Sequence, residues 1–146
     1  MMRGCVFCAI VGGDEVASVV ARRAAAMAFM DHRPWRPGHV LVVPRAHGQR
    51  VADVAPGQVA AVFALATEVA AAVRASGLPC DDVNLIVNDG PAAGQTVAHL
   101  HVHVVPRVRG DLWRAATIVP RRVLPPIARA RLDADAARIA ARLQSE

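Results

Sequence analysis

The segment His99-Leu100-His101-Val102-His103-Val104-Val105 constrains this chain more than any other feature. It sets three imidazoles at every second position with only Leu or Val between them. A β-strand alternates its side chains between two faces, so the spacing predicts a strand carrying all three rings on one side. Leu100, Val102 and Val104 then turn into a core on the other side. Alternate residues lie roughly 6–7 Å apart along a strand, close enough for the rings to divide chemical labour. Half of the six histidines in the chain fall in this one run.

At 146 residues the chain reads as one domain over 1–146, with an apolar fraction of 54% that is large enough for a real core. Aromatic residues are 3% and Tyr is absent, so that core must be built from small aliphatic groups. No run of 18 apolar residues is free of charge and the N-terminus carries no apolar leader, which predicts no membrane span and a cytoplasmic location. The net charge of +5 raises the question of nucleic acid, but all 17 basic residues are Arg, scattered in pairs such as Arg22-Arg23. That pattern describes a solvated basic surface able to steer small phosphate compounds, with no specific nucleic-acid site. Three cysteines in such a chain predict thiols rather than disulfides.

Apolar patterning predicts short strands at Ser18–Ala21, Ala25–Phe29, His39–Val43 and Val83–Val87, besides the three-His strand, which Pro106 is expected to end. Between them Val59, Val62, Phe63, Ala66, Val69, Ala70 and Val73 recur at helical intervals after Pro56-Gly57, with Gly77 and Pro79 as stops. Proline at 120, 125 and 126 breaks the following segment. Asp133 is placed to cap a terminal helix with Ala136, Ile139 and Leu143 on one face. Strands joined by short turns predict an antiparallel α+β fold.

Chemically, a neutral imidazole is a competent nucleophile near pH 7 without a separate base, which suits His101 to attack on phosphorus. The preceding Gly90, Gly94, Gln95 and Thr96 supply donors of the kind that bind phosphate oxygens. Cys5 and Cys8 make half of a tetrahedral zinc site, with His47 and His99 as candidate nitrogens. A redox C-x-x-C is the rival, opposed here by the lack of its usual helix start after a strand. A further rival is a catalytic metal chelated by two rings of the run.

These residues resemble the histidine-triad family. The run fits its His-φ-His-φ-His-φ-φ motif at all seven positions. Asn88 to Val97 and Val105-Pro106-Arg107 are similar to the loop and exit of its fragile-histidine-triad branch. Asp31, with Arg36-Pro37-Gly38-His39 through Arg45-Ala46-His47, resembles a second family block, and Cys5 to Gly13 is similar to the zinc-binding bacterial members. The likeness covers roughly residues 4–109.

The resemblance implies an antiparallel sheet of about five strands with one long central helix and a C-terminal helix. It also implies cleavage at the α-phosphate of purine nucleoside phosphoramidates or dinucleoside polyphosphates through a nucleotidyl-histidine. His101 matches the nucleophile and His103 its partner at the phosphate. Gln95 and Thr96 match the phosphate-contacting pair, Asn88 a neighbouring polar contact and Gly94 a substrate-binding position of the same loop; Asp31 matches the ribose contact and His39 a supporting ring. Cys5, Cys8, His47 and His99 match a structural zinc site, and a homodimer is implied. Phe7, Ile10 and Phe29 are candidates for an apolar base pocket. The leaving group stays open between an amine, a sulfate and a second nucleotide, and residues 110–146 have no assigned role. The alternative function is a nucleotide-binding regulatory or scaffold protein in which hydrolysis is incidental.

Overall fold

Two opposed apolar layers decide this architecture, and they share one sheet. The computed structural model describes residues 4–111 and 123–143. Within them lie helix α1 (Val6–Gly12) and strands β1 (Val19–Arg22), β2 (Ala26–Met30) and β3 (Val40–Pro44). Helix α2 (Pro56–Ala75), strands β4 (Asp82–Val87) and β5 (Val102–Arg107), and helix α3 (Arg129–Ala140) follow. The strand order is β1-β2-β3-β5-β4, antiparallel at every step.

Alternation along β2 and β3 sends residues to two separate cores. Ala28, Met30, Val40 and Val42 join Val102 and Val104 under α2 and α3, against Leu65, Ala66, Val69, Leu132 and Ile139. Met27, Phe29, Leu41 and Val43 face the other way and meet Phe7, Ile10 and Val11 of α1. Every residue of both strands is therefore buried, as expected for a sheet covered on both sides. Leu41 pairs with His103, so His103 rises on the α1 face. That register places the site.

Several local expectations change. The run of histidines is not all strand: β5 starts at Val102, and residues 97–99 form a bend. The β3–β5 ladder ends at the Val42–Val102 pair. Before it, the Leu100 amide donates to the Gly48 carbonyl at 2.7 Å and the His99 amide to Val97 at 2.8 Å. Pro106 does not end β5, which continues to Arg107; β3 pairs only as far as Val104, so the missing N–H at 106 costs no bond to β3.

The helices also depart from expectation. Asp133 lies inside α3, whose N-cap is Ala128. There it accepts from Ser18 Oγ at 2.6 Å, while Arg129 Nη1 donates to the same hydroxyl at 3.1 Å, pinning α3 to β1. Phe63 is 38% exposed rather than on the buried face of α2. By length and composition alone α2 could cross a bilayer, yet it packs its Val62, Leu65, Ala66, Val69 and Val73 onto the sheet. The break expected at Pro120 lies outside the described residues.

Leu65, 2% exposed between α2 and the sheet, should be costly to truncate. Leu65→Ala is expected to lower stability by about 2–5 kcal/mol, read as a shifted denaturant midpoint at constant m-value. Val16→Ala, at a position 71% exposed, should stay within about 0.5 kcal/mol. Equal costs at the two positions would contradict the placement of the α2 core.

Candidate active site and metal centre

Helix α1 is the element that sequence patterning missed, and it carries half of one cluster. Cys5 is its N-cap, with Sγ accepting from the Cys8 amide at 3.5 Å, and Gly13 closes it with φ +89°. A left-handed residue there favours glycine. A helix does start at the C-x-x-C, but among the described residues no strand precedes it, so the strand-to-helix setting usual for a redox C-x-x-C is still missing. What separates the readings is what the sulfurs face.

Both sulfurs face imidazoles. Cys5 Sγ lies 3.5 Å from His99 Nδ1, and Cys8 Sγ lies 3.4 Å from His47 Nδ1 and 3.6 Å from His99 Nδ1. A tetrahedral zinc with Zn–S near 2.3 Å and Zn–N near 2.0–2.1 Å has an S···N edge of about 3.5 Å. The four donor atoms lie within 4.8 Å of one another. His99 Nε2 donates to the Pro44 carbonyl at 3.0 Å, which leaves the lone pair on Nδ1, as a ligand needs. Burial pushes the His99 imidazole below its ordinary range, toward the neutral form. Burial also pushes the Cys5 thiol up; a cation at the centre would pull the thiol back down and reinforce the neutral imidazole. The donor set and its spacing fit zinc.

The second cluster begins two residues further along. His101 Nδ1 donates to the His99 carbonyl at 2.7 Å, so the neutral ring carries its lone pair on Nε2. The ring is 2% exposed. Two rings neighbour it: Phe7 edge-on at 5.3 Å and His103 at 4.8 Å between centroids. Phe7 also touches His99, at 5.9 Å. Although only His103 belongs to a ladder, all three rings gather beneath α1.

His39 Nε2 meets His103 Nδ1 at 3.0 Å and lies 3.6 Å from Asp31 Oδ2. Asp31 is fully buried, and its Oδ1 accepts from the Arg33 amide at 2.9 Å. The carboxylate is thus closed off from solvent in this structure. Phe7, Ile10 and Phe29 form part of the second core, with Phe7 against the histidines.

The loop before β5 is not uniformly turned toward the rings. Gln95 is committed within the protein: its Nε2 donates to the Gln49 carbonyl at 2.8 Å and to His99 at 3.4 Å, and its Oε1 accepts from the Gly90 amide at 3.1 Å. Its amide thus braces the loop instead of reaching outward. Gly94 has φ +90°, and a Cβ there would stand 3.9 Å from the half-buried Asn88 amide nitrogen. Thr96 is exposed and shares an opening with Cys5 and His47, on the metal side of the cluster.

One residue next to the histidines has no counterpart in the sequence reading. Trp35 stacks on His39 at 5.0 Å and 13°, and its ring lies 5.0 Å from His103. A tryptophan between Pro34 and Arg36-Pro37 carries no periodic or motif signal, so only the folded loop reveals it.

Comparison with known proteins agrees with this geometry. The HIT domain profile matches residues 13–110. An uncharacterized HIT-like protein of Mycobacterium tuberculosis is 40% identical over 107 residues, covering 73% of this chain and 74% of the relative. An adenylylsulfatase of Arabidopsis thaliana is 32% identical, over 81% of this chain and 60% of its own length. An adenosine 5'-monophosphoramidase of Schizosaccharomyces pombe is 32% identical, over 82% and 90%. Among solved structures, a zinc-bound histidine triad family protein from Mycobacterium smegmatis superposes with TM-score 0.81 at 37% identity, covering 96% of this chain and 93% of that one. With the sheet order, the gathered rings and the profile match in accord, the chain belongs to the HIT domain family.

Proposed function

We propose that this protein is a nucleotide hydrolase or transferase that cleaves at the α-phosphate of purine nucleoside phosphoramidates or dinucleoside polyphosphates. The observation that carries the reading is the 2.7 Å bond from His101 Nδ1 to the His99 carbonyl. It orients the ring and holds the nucleophilic lone pair on Nε2. Attack forms an Nε2–P bond as the P–N or P–O bond to the leaving group breaks, and the leaving group takes up a proton. Water then breaks the Nε2–P bond, releasing a nucleoside monophosphate and restoring the neutral ring. His103, whose ring lies 4.8 Å from that of His101, is the group placed to donate to the phosphate or the leaving group.

Asn88, Gly94 and Thr96 are proposed as contacts to the substrate from the loop, with Gln95 acting through loop position rather than by touching it. Asp31 is proposed to meet the ribose once its carboxylate is uncovered, and His39 supports His103 from behind. Phe7, packed edge-on against His101, must yield when a nucleotide enters; Phe7, Ile10 and Phe29 are then the apolar wall for the base. The relatives named for phosphoramidase and adenylylsulfatase activity support an adenylate-type substrate with a small leaving group.

Zinc held by Cys5, Cys8, His47 and His99 would be structural, since four protein ligands leave no open position. Its chemistry is to clamp α1 to the segment entering β5. The proposed homodimer uses the β4 edge of the sheet, where Leu85 is 41% exposed. Cys5, Cys8 and Cys80 are not joined in disulfides, and a reducing, cytoplasmic setting would keep the first two available to the metal.

Three outcomes are expected. His101→Ala should lower kcat/KM for adenosine phosphoramidate by about 10³-fold or more while nucleotide affinity changes little. Intact mass after rapid quench should show an adenylyl adduct in the wild type only; a variant that kept most of its turnover would end the nucleophile assignment. Purified protein should hold about one zinc per chain, and Cys8→Ser should lose it together with several degrees of thermal midpoint. Metal-free protein of unchanged midpoint would refute a structural zinc. Light scattering should give twice the 15.4 kDa chain mass for the wild type and the single mass for Leu85→Arg; a monomeric wild type would exclude the β4 interface.

A further inference from the structure

The buried group Asp31, His39 and His103 has the composition of a second metal site, with its donor atoms within 4.8 Å of one another. The loop that connects β2 to β3 argues otherwise. The Trp35 backbone N–H donates to His39 Nδ1 at 3.1 Å. An N–H can donate only to a nitrogen carrying a lone pair, so the neutral His39 ring must hold its proton on Nε2. A protonated Nε2 is not a ligand. It donates instead to the nearer acceptor, His103 Nδ1 at 3.0 Å, in preference to Asp31 Oδ2 at 3.6 Å. Accepting at Nδ1 in turn leaves the His103 proton on Nε2.

We propose that Trp35 is a positioning residue whose backbone N–H, held in place by the indole stacked on His39, sets both His39 and His103 as Nε2-protonated tautomers. The loop is built to deliver that N–H. The Asp31 amide donates to the His39 carbonyl at 3.0 Å and the His39 amide to the Arg36 carbonyl at 3.1 Å. Asp31 Oδ1 accepts from the Arg33 amide at 2.9 Å. Arg36 lies 3.8 Å from the Asp111 carboxylate, which Arg107 of β5 holds at 2.6 Å. The indole adds a near-parallel stack on His39, 13° between planes, and a second contact on His103. The order of protons therefore runs from backbone to His39 to His103. Resting on the phosphoryl-transfer reading above, this makes His103 an N–H donor toward the reacting phosphate rather than a competing base.

The test uses the full-length protein labelled with ¹⁵N in its histidines. Long-range ¹H–¹⁵N spectra report the tautomer of each ring directly. The expected result is an unprotonated Nδ1 and a protonated Nε2 on both His39 and His103. Trp35→Ala, which keeps the backbone N–H but removes the stack, should mix the tautomers of His39. It should also lower kcat for adenosine phosphoramidate about tenfold, with KM changed less than about twofold. Trp35→Phe should restore both readouts. A protonated Nδ1 on either ring of the wild type overturns the proposal, as does a Trp35→Ala protein with unchanged tautomers and kcat. So does a second bound zinc equivalent that disappears in His39→Ala. If no nucleotide substrate turns over while the spectra read as expected, the hydrolase reading falls and the tautomer assignment by Trp35 stands.

Discussion

Three hydrogen-bonding atoms of one residue, His99, tie this structure together. Its Nδ1 faces both cysteine sulfurs, its Nε2 donates to Pro44 at the end of β3, and its carbonyl receives the proton of His101 Nδ1. None of these can be moved without the others. A shift of the ring would open the sulfur cluster and the link to β3, and the same backbone displacement would release the His101 ring. The sulfur–imidazole cluster and the His101 ring thus share a single anchor point, and the rigidity of one is lent to the other.

The sheet makes this possible by separating support from chemistry. Its α2 and α3 face is a core of Val, Ala, Leu, Ile and Met side chains. The α1 face is thinner, with Phe7, Ile10, Met27 and Phe29 beside the rings. A seven-residue helix is marginal alone, so α1 needs an anchor beyond its own apolar contacts. The four donors at Cys5, Cys8, His47 and His99 are where such an anchor fits.

Proton placement in the second cluster comes from backbone rather than from neighbouring charges. Carbonyl 99 sets His101, and amide 35 sets His39 and through it His103. Backbone groups neither titrate nor rotate freely, so they hold a tautomer more firmly than a side-chain partner would. Gln95 acts in the same spirit on the loop, joining Gly90, Gln49 and His99 through one amide.

Alternating and helical patterns were enough to read the five strands and the long helix, because each depends on residue type at a fixed short spacing. The Cys5–Cys8 pair was legible in the same way, while joining it to His47 and His99 rested on resemblance to a family. The central imidazole was legible from its spacing. Spacing could not show that His99 and His101 leave the ladder, since this depends on where β3 stops and on the Leu100 amide finding Gly48. Nor could it show α1, whose cap is a sulfur, or Asp133 as a tie to Ser18, or the inward commitment of Gln95. Trp35 lay beyond reach altogether, because its role rests on a backbone N–H meeting a ring that only a closed loop brings near. Residue chemistry in one dimension determined which groups are present and how they repeat; tertiary structure decided which lone pairs and protons face each other, because hydrogen bonds act through distances that chain separation does not contain.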